Sequence, residues 1–176
     1  MIKQECNDIE KKYECVRAIY LLAWGGYFIW RLYVCIRYCF AYVDDDQAIM
    51  WYGTVYMAHG HFPEPCFYGQ DYGSMLDSLL AVPLYWCGCP LNIALPFMTM
   101  IWGMSPFVMC AVHALNKRHI KCAWFVLLIA VSCSWQWDVL TSVPRSLTDG
   151  FPLAIATFLL LDNPDEKKKG FIYKKE

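Results

Sequence analysis

The sequence predicts an all-α fold of several transmembrane helices, and three observations carry that expectation. Hydrophobic residues make up 58% of the 176-residue chain and aromatics 17%, above the roughly 45–50% apolar content of an average soluble domain. Charged residues supply only 18%, against about 25% in such domains. No Asp, Glu, Lys or Arg occurs between Asp77 and Lys117, an interval well beyond the roughly 20 apolar residues that a bilayer crossing needs. A net charge of −1 says nothing about nucleic acid, because the basic residues sit in short clusters between apolar runs, and no nucleic-acid partner is expected. The clusters read instead as the positive flanks that orient membrane spans.

The elements follow in chain order. The N-terminal tail mixes Lys3, Glu5, Asp8, Glu10, Lys11, Lys12 and Glu14, and no small-residue cleavage site follows its apolar stretch. It is therefore read as a retained anchor and not as a signal peptide. A first span is expected over 17–43. Arg37 near its end can snorkel toward the headgroups. Arg31 lies deeper, where an arginine is costly and usually faces a polar cavity or an acidic partner; snorkelling and function weigh evenly there.

Residues 44–77 are too rich in Pro, Gly, His and acid to cross lipid, and form a long non-cytoplasmic first loop. Within it, Gln47 to His59 is expected to form a short interfacial helix, with Ile49, Met50, Trp51, Tyr52, Tyr56 and Met57 at the membrane surface. Gly60 ends this helix, Pro63 and Pro65 keep the chain extended, and Tyr68 to Ser74 makes a turn. A short helix over 75–88 precedes the break at Gly88-Cys89-Pro90. Further spans are expected over 91–115 and 122–140, separated by the basic turn at 116–121. A polar loop at 141–149, an apolar segment at 150–161 and a charged tail complete a single membrane domain, 1–176. If the three basic clusters are all cytoplasmic, the N-terminus is cytoplasmic and the loops at 44–77 and 141–150 share the opposite face. That arrangement requires 75–90 not to cross fully.

Ten cysteines invite a disulfide or zinc reading, but no C-x-x-C pair exists and Cys87-Gly88-Cys89 is too tight for a zinc knuckle. Cys35, Cys39, Cys110, Cys122 and Cys133 lie in or beside apolar segments, where cysteine packs as a small hydrophobe.

Candidate chemistry begins with Asp44-Asp45-Asp46, directly after the first span. One or two of these acids can be explained as caps of the following helix, whose positive N-terminus favours carboxylates. Three adjacent carboxylates also repel one another, which raises a pKa or recruits a divalent cation and suits a general base. His59 and His61, with Glu64 nearby, resemble a metal pair but are more simply loop histidines. Arginine forks match phosphate oxygens. Of Arg31, Lys117, Arg118 and Arg145, only Arg31 and Arg145 fall near the acidic loop in the expected topology.

The order of these features carries a resemblance. Arg31-Leu32-Tyr33 is followed by Val43-Asp44-Asp45-Asp46-Gln47-Ala48, an aromatic helix, Glu64-Pro65 and Tyr68-Gly69-Gln70-Asp71-Tyr72-Gly73-Ser74. Leu76-Asp77 through Pro83 and the Pro144-Arg145 loop come next. Over nearly its whole length the chain resembles the N-terminal part of GT-C membrane glycosyltransferases, the protein O-mannosyltransferases and lipid A aminoarabinose transferases. The resemblance implies transfer of a sugar from a polyprenyl-phosphate donor to a lipid, glycan or protein acceptor at the non-cytoplasmic face of a bacterial inner membrane. It implies Asp44, Asp45 or Asp46 as base, or Asp44 and Asp45 as ligands of a divalent metal ion. Arg145 and Arg31 would hold the lipid phosphate. Glu64, Tyr68, Gln70, Tyr72 and Asp77 would complete the sugar or lipid groove. Family members carry many more spans, so the chain is expected to be an N-terminal portion, with a partner chain as another way to complete the groove. The alternative is a non-catalytic membrane scaffold or truncated remnant. A small cation transporter fits less well, because the acids lie at a span's end and not near the bilayer midplane.

Overall fold

The computed structural model describes residues 2–41, 45–62, 74–132 and 150–161. All regular structure among them is helical: α1 (Ile2–Arg37), a 3-10 turn (Cys39–Ala41), α2 (Asp45–Ala58), α3 (Leu76–Trp86), α4 (Leu91–Asn116), α5 (Ile120–Ser132) and α6 (Gly150–Leu161). Two stretches, Glu10–Ala41 and Leu91–Asn116, are long and apolar enough to cross a bilayer.

The first helix departs from the expected 17–43 at both ends. It starts at Ile2 because the Glu- and Lys-rich tail contains strong helix formers and no Gly or Pro. It stops at Arg37, where the backbone tightens into the 3-10 turn. Arg37 is exposed, its guanidinium 5.7 Å from the Tyr38 ring centre. The helix expected over 122–140 is described as Ile120–Ser132, and the rest of that interval lies outside the described residues.

Side-chain contacts fix how α4, α5 and α6 pack around α1 and one another. Tyr13 Oη donates to the Leu115 carbonyl (3.2 Å) at one end of α1, and at the other Asn92 Nδ2 donates to the Phe40 carbonyl (3.0 Å). Rising numbers on α1 thus meet falling numbers on α4, so the two are antiparallel. Tyr20 stacks edge-on against Trp124 (5.3 Å) and Tyr27 Oη donates to the Ala130 carbonyl (2.8 Å), so α5 runs parallel to α1. Phe107 meets Phe151 (6.2 Å), where α6 packs against α4.

Proline shapes α4 from within. Pro96 and Pro106 lie inside the helix, and each removes one backbone donor from the hydrogen-bond ladder. The carbonyl stranded by Pro106 is that of Trp102, and Ser105 Oγ donates to it (2.7 Å). A neighbouring hydroxyl restoring a freed carbonyl is how a helix tolerates proline where water is absent.

The ends of α2, α3 and α4 share one solution. His61, Cys89 and His119 N–H groups donate to the Tyr56, Leu84 and Ala114 carbonyls, and Gly60, Gly88 and Arg118 to those of Met57, Tyr85 and Leu115. This crossed pair needs a left-handed residue after the helix. Gly60 (φ +81°), Gly88 (φ +83°) and Arg118 (φ 58°) supply it. Arg118 is the one that bears a Cβ there, and its side chain is tied down by Glu10 (3.1 Å) and by the Tyr13 ring (5.6 Å).

Candidate functional site

The acidic residues sit where two short helices begin. Met50 and Ser78 meet near the start of α2 and α3, where Ser78 Oγ donates to the Met50 carbonyl (2.9 Å). Thr54 Oγ1 donates to both the Met50 (3.0 Å) and Ser78 (3.3 Å) carbonyls. Further along, Trp86 Nε1 donates to the Ala58 carbonyl (3.1 Å). Contacts advance in the same direction on both helices, so α2 and α3 are parallel and their N-termini lie at the same end. Gly53 lets them close: a Cβ there would collide with Met75 and lie 3.2 Å from Ser78 Oγ.

Two helix N-termini side by side make an electropositive end, and both helices place carboxylates in it. Asp45 opens α2 and is exposed. Asp46 follows in the same turn. Asp77 lies in the first turn of α3 and is fully buried. The acids expected in a loop are thus helical from Asp45 onward, because carboxylates in a first turn complement the dipole.

The other site residues divide by burial and by description. Arg31 is 5% exposed, which removes the snorkelling alternative: its guanidinium is held within the helix packing. Asp77 has no exposed surface, so in this arrangement it belongs to the packing between helices and does not face an open groove. Asp44, Glu64, Tyr68, Gln70, Tyr72 and Arg145 lie outside the described residues. Among the described residues no three His, Cys, Asp or Glu side chains converge as a metal site.

The interfacial reading of α2 needs correction for its methionines. Met50 and Met57 are buried against Met75, Ala81, Val82, Ala94 and Leu95, with Ile49 and Trp51 packed on the same cluster. Tyr52 and Tyr56 alone of that set face outward, 68% and 46% exposed, with ring centres 5.9 Å apart. Beyond them Val55, Tyr56, His59 and His61 line an open hollow of about 340 Å³. His59 Nδ1 lies 2.8 Å from the Val55 carbonyl, and the His61 ring meets Tyr56 edge-on. This hollow was not legible from spacing alone, since it depends on the turn that Gly60 permits.

Cysteine placement is also mixed. Cys35 and Cys39 are buried, whereas Cys122, expected to pack, is exposed alongside Cys15 and Cys87. Gln47, Thr54, Ser78 and Thr99 are buried polar residues on α2, α3 and α4.

Comparison of the chain with protein-family models, with curated proteins and with solved structures gives no match.

Proposed function

We propose that the chain is an integral membrane module of a lipid-linked-sugar transferase, acting at the non-cytoplasmic membrane face with its N-terminus cytoplasmic. The observation that carries this reading is the shared N-terminal end of α2 and α3, with exposed Asp45 in the first turn of one helix and buried Asp77 in that of the other, in a chain whose first span contains the buried Arg31. The outward faces of α1, α5 and α6, with Leu22, Ile29, Trp30, Phe125, Leu128, Phe158 and Leu160 all more than half exposed, support a lipid environment. Such a continuous apolar exterior is rare on a soluble monomer.

In the proposed reaction an acidic side chain of the Asp44–Asp46 run takes the proton of an acceptor hydroxyl. The hydroxyl oxygen attacks the anomeric carbon with inversion as polyprenyl phosphate departs. Asp45 is the strongest candidate among the described acids, because it is exposed at the helix start. A group so placed can reach a substrate from solvent. Arg145, from the later loop, would face the departing phosphate, with Arg31 adding positive charge from within the helix packing. The described donors do not assemble a metal site, and no step here uses one.

The test is transfer from a radiolabelled polyprenyl-phosphate sugar in membranes containing the chain, beside Asp44→Asn and Asp45→Asn. Transfer above empty membranes that falls by about 100-fold or more in one variant is expected of a lost general base. No transfer from inserted, folded protein would leave the non-catalytic scaffold as the better reading.

A further inference from the structure

One end of the α1–α4–α5 bundle concentrates positive charge. Tyr13 Oη of α1 donates to the Leu115 carbonyl (3.2 Å), and the Tyr13 ring centre lies 5.6 Å from the Arg118 guanidinium, which also reaches Glu10 (3.1 Å). The early turns of α1 and the turn between α4 and α5 are therefore neighbours. Tyr20 meets Trp124 (5.3 Å), and because α1 and α5 are parallel, Arg17 and Lys121, each three residues before its ring, lie at the same level. Lys11, Lys12, Arg17, Lys117, Arg118 and Lys121 thus share this end, and all are exposed. Over 10–17 and 117–121 the only acids are Glu10 and Glu14. Both are engaged in exposed pairs, with Arg118 (3.1 Å) and Arg17 (3.4 Å), so a positive excess remains.

The apolar surface begins directly beside this charge. Ile19, Leu21 and Leu22 on α1, and Phe125 and Leu128 on α5, are all more than half exposed, and each lies within two turns of Arg17 or Lys121. We propose that this end is a docking surface for anionic phospholipids, their headgroup phosphates on the basic ring and their acyl chains along the exposed faces of α1 and α5. The order of surfaces along the helices, cationic and then apolar, matches the order of headgroup and chain in such a lipid. Clustered Lys and Arg at the end of a span attract an anionic leaflet, and their long stems let the charged heads reach the headgroup layer. A soluble polyanion would match the charge but leave the apolar band uncovered. A zwitterionic lipid would cover the band without drawing on the positive excess. The inference rests on the membrane setting of the proposed function and not on sugar transfer.

The test places the full chain in phosphatidylcholine vesicles and uses electron paramagnetic resonance to compare spin-labelled phosphatidylglycerol with spin-labelled phosphatidylcholine at the protein surface. A preference of about fivefold for the anionic lipid is expected, the equivalent of one effective surface charge. Lys11→Gln, Lys12→Gln and Lys121→Gln together leave the basic end nearly balanced and should bring the preference below about twofold. Arg37→Gln, an exposed arginine at the other end of α1, should keep most of it. In the unaltered chain, salt at about 1 M, which shortens screening to about 3 Å, should also remove most of it. Equal association of the two lipids with a chain that resists carbonate extraction would overturn the proposal and leave the membrane reading standing. A preference unchanged in the triple variant, or undiminished by salt in the unaltered chain, would overturn it as well. A chain that carbonate removes from the vesicles would overturn both readings.

Discussion

The bundle of α1, α4 and α5 and the pair α2–α3 are both built from apolar helices, yet they are held together by different means. Within its most apolar stretch α1 is only 17% buried, against 39% for α4, so α1 touches its neighbours along a narrow seam. That seam is aromatic: Tyr20, Trp24, Tyr27 and Trp124 meet edge to face, and Tyr13 and Tyr27 hydroxyls reach backbone carbonyls on α4 and α5. The α2–α3 pair approaches at Gly53 and is joined by Thr54 and Ser78 hydroxyls bonded to carbonyls of both helices. Small residues and hydroxyls substitute for the hydrophobic effect where the surroundings are as apolar as the side chains. The contrast indicates that α1 relies on lipid to cover its outer face, while α2 and α3, together with the start of α4, form a buried packing unit.

Core truncation separates the two regions most sharply. Leu95 is fully buried where α4 meets α2 and α3, and Leu95→Ala is expected to cost about 2–5 kcal/mol. Leu128 on α5 is 60% exposed, and Leu128→Ala should change stability by less than about 0.5 kcal/mol. Thermal unfolding of both in the same micelles checks the difference, and equal losses would break the comparison.

Next in size is Gly53→Leu. Its side chain must displace Met75 and disturb Ser78, which overpacks the pair at about 1–3 kcal/mol. Gly25→Leu on the open face of α1, where nothing lies within 4 Å of an added Cβ, should be neutral or stabilising. Denaturation midpoints of the two variants should therefore move in different directions.

The hydroxyl network gives a smaller effect. Thr54→Val removes donors to Met50 and Ser78 carbonyls and should cost about 0.6 kcal/mol, with an upper bound near 1.7. A double-mutant cycle with Ser78→Ala would sharpen the account by measuring how much of that loss is shared.

The smallest expected change is Arg118→Gly. Glycine relieves the left-handed backbone by about 1 kcal/mol. The loss of an ion pair to Glu10 whose side chains are 70% and 54% exposed, worth about 0.2–1 kcal/mol, offsets it. A melting temperature that barely moves is the expected result.

How much of this was legible in the sequence differs by region for a physical reason. The α4 and α6 segments could be read because an uninterrupted apolar run bounded by Pro90, the basic turn or Gly150 leaves little choice of ends. The start of α1 was missed because hydropathy marks where a helix enters lipid, not where its hydrogen bonds begin, and the Glu/Lys tail is helical without being apolar. The end of α2 at Gly60 was legible because only a left-handed residue fits there. The burial of Met50 and Met57 was not, since an interfacial face and a face packed on a parallel helix carry the same residues. In the candidate site, the exposed position of Asp45 at a helix start follows from its place after the span. The enclosure of Asp77 and Arg31 depends on contacts between helices far apart in sequence, which spacing does not encode.

The central claim is that α4 crosses the membrane, so that the α3–α4 junction lies across it from the basic turn. With 26 residues at about 1.5 Å each, α4 is long enough to put Cys87, just before it, and Lys117, just after it, on opposite faces. The most direct measurement is labelling by a membrane-impermeant maleimide in intact cells, using one chain with Cys87 as its sole cysteine and another with Lys117→Cys as its sole cysteine. Labelling at 87 from outside, with 117 labelled only after permeabilisation, is the predicted result. Labelling of both from the same side would contradict the account.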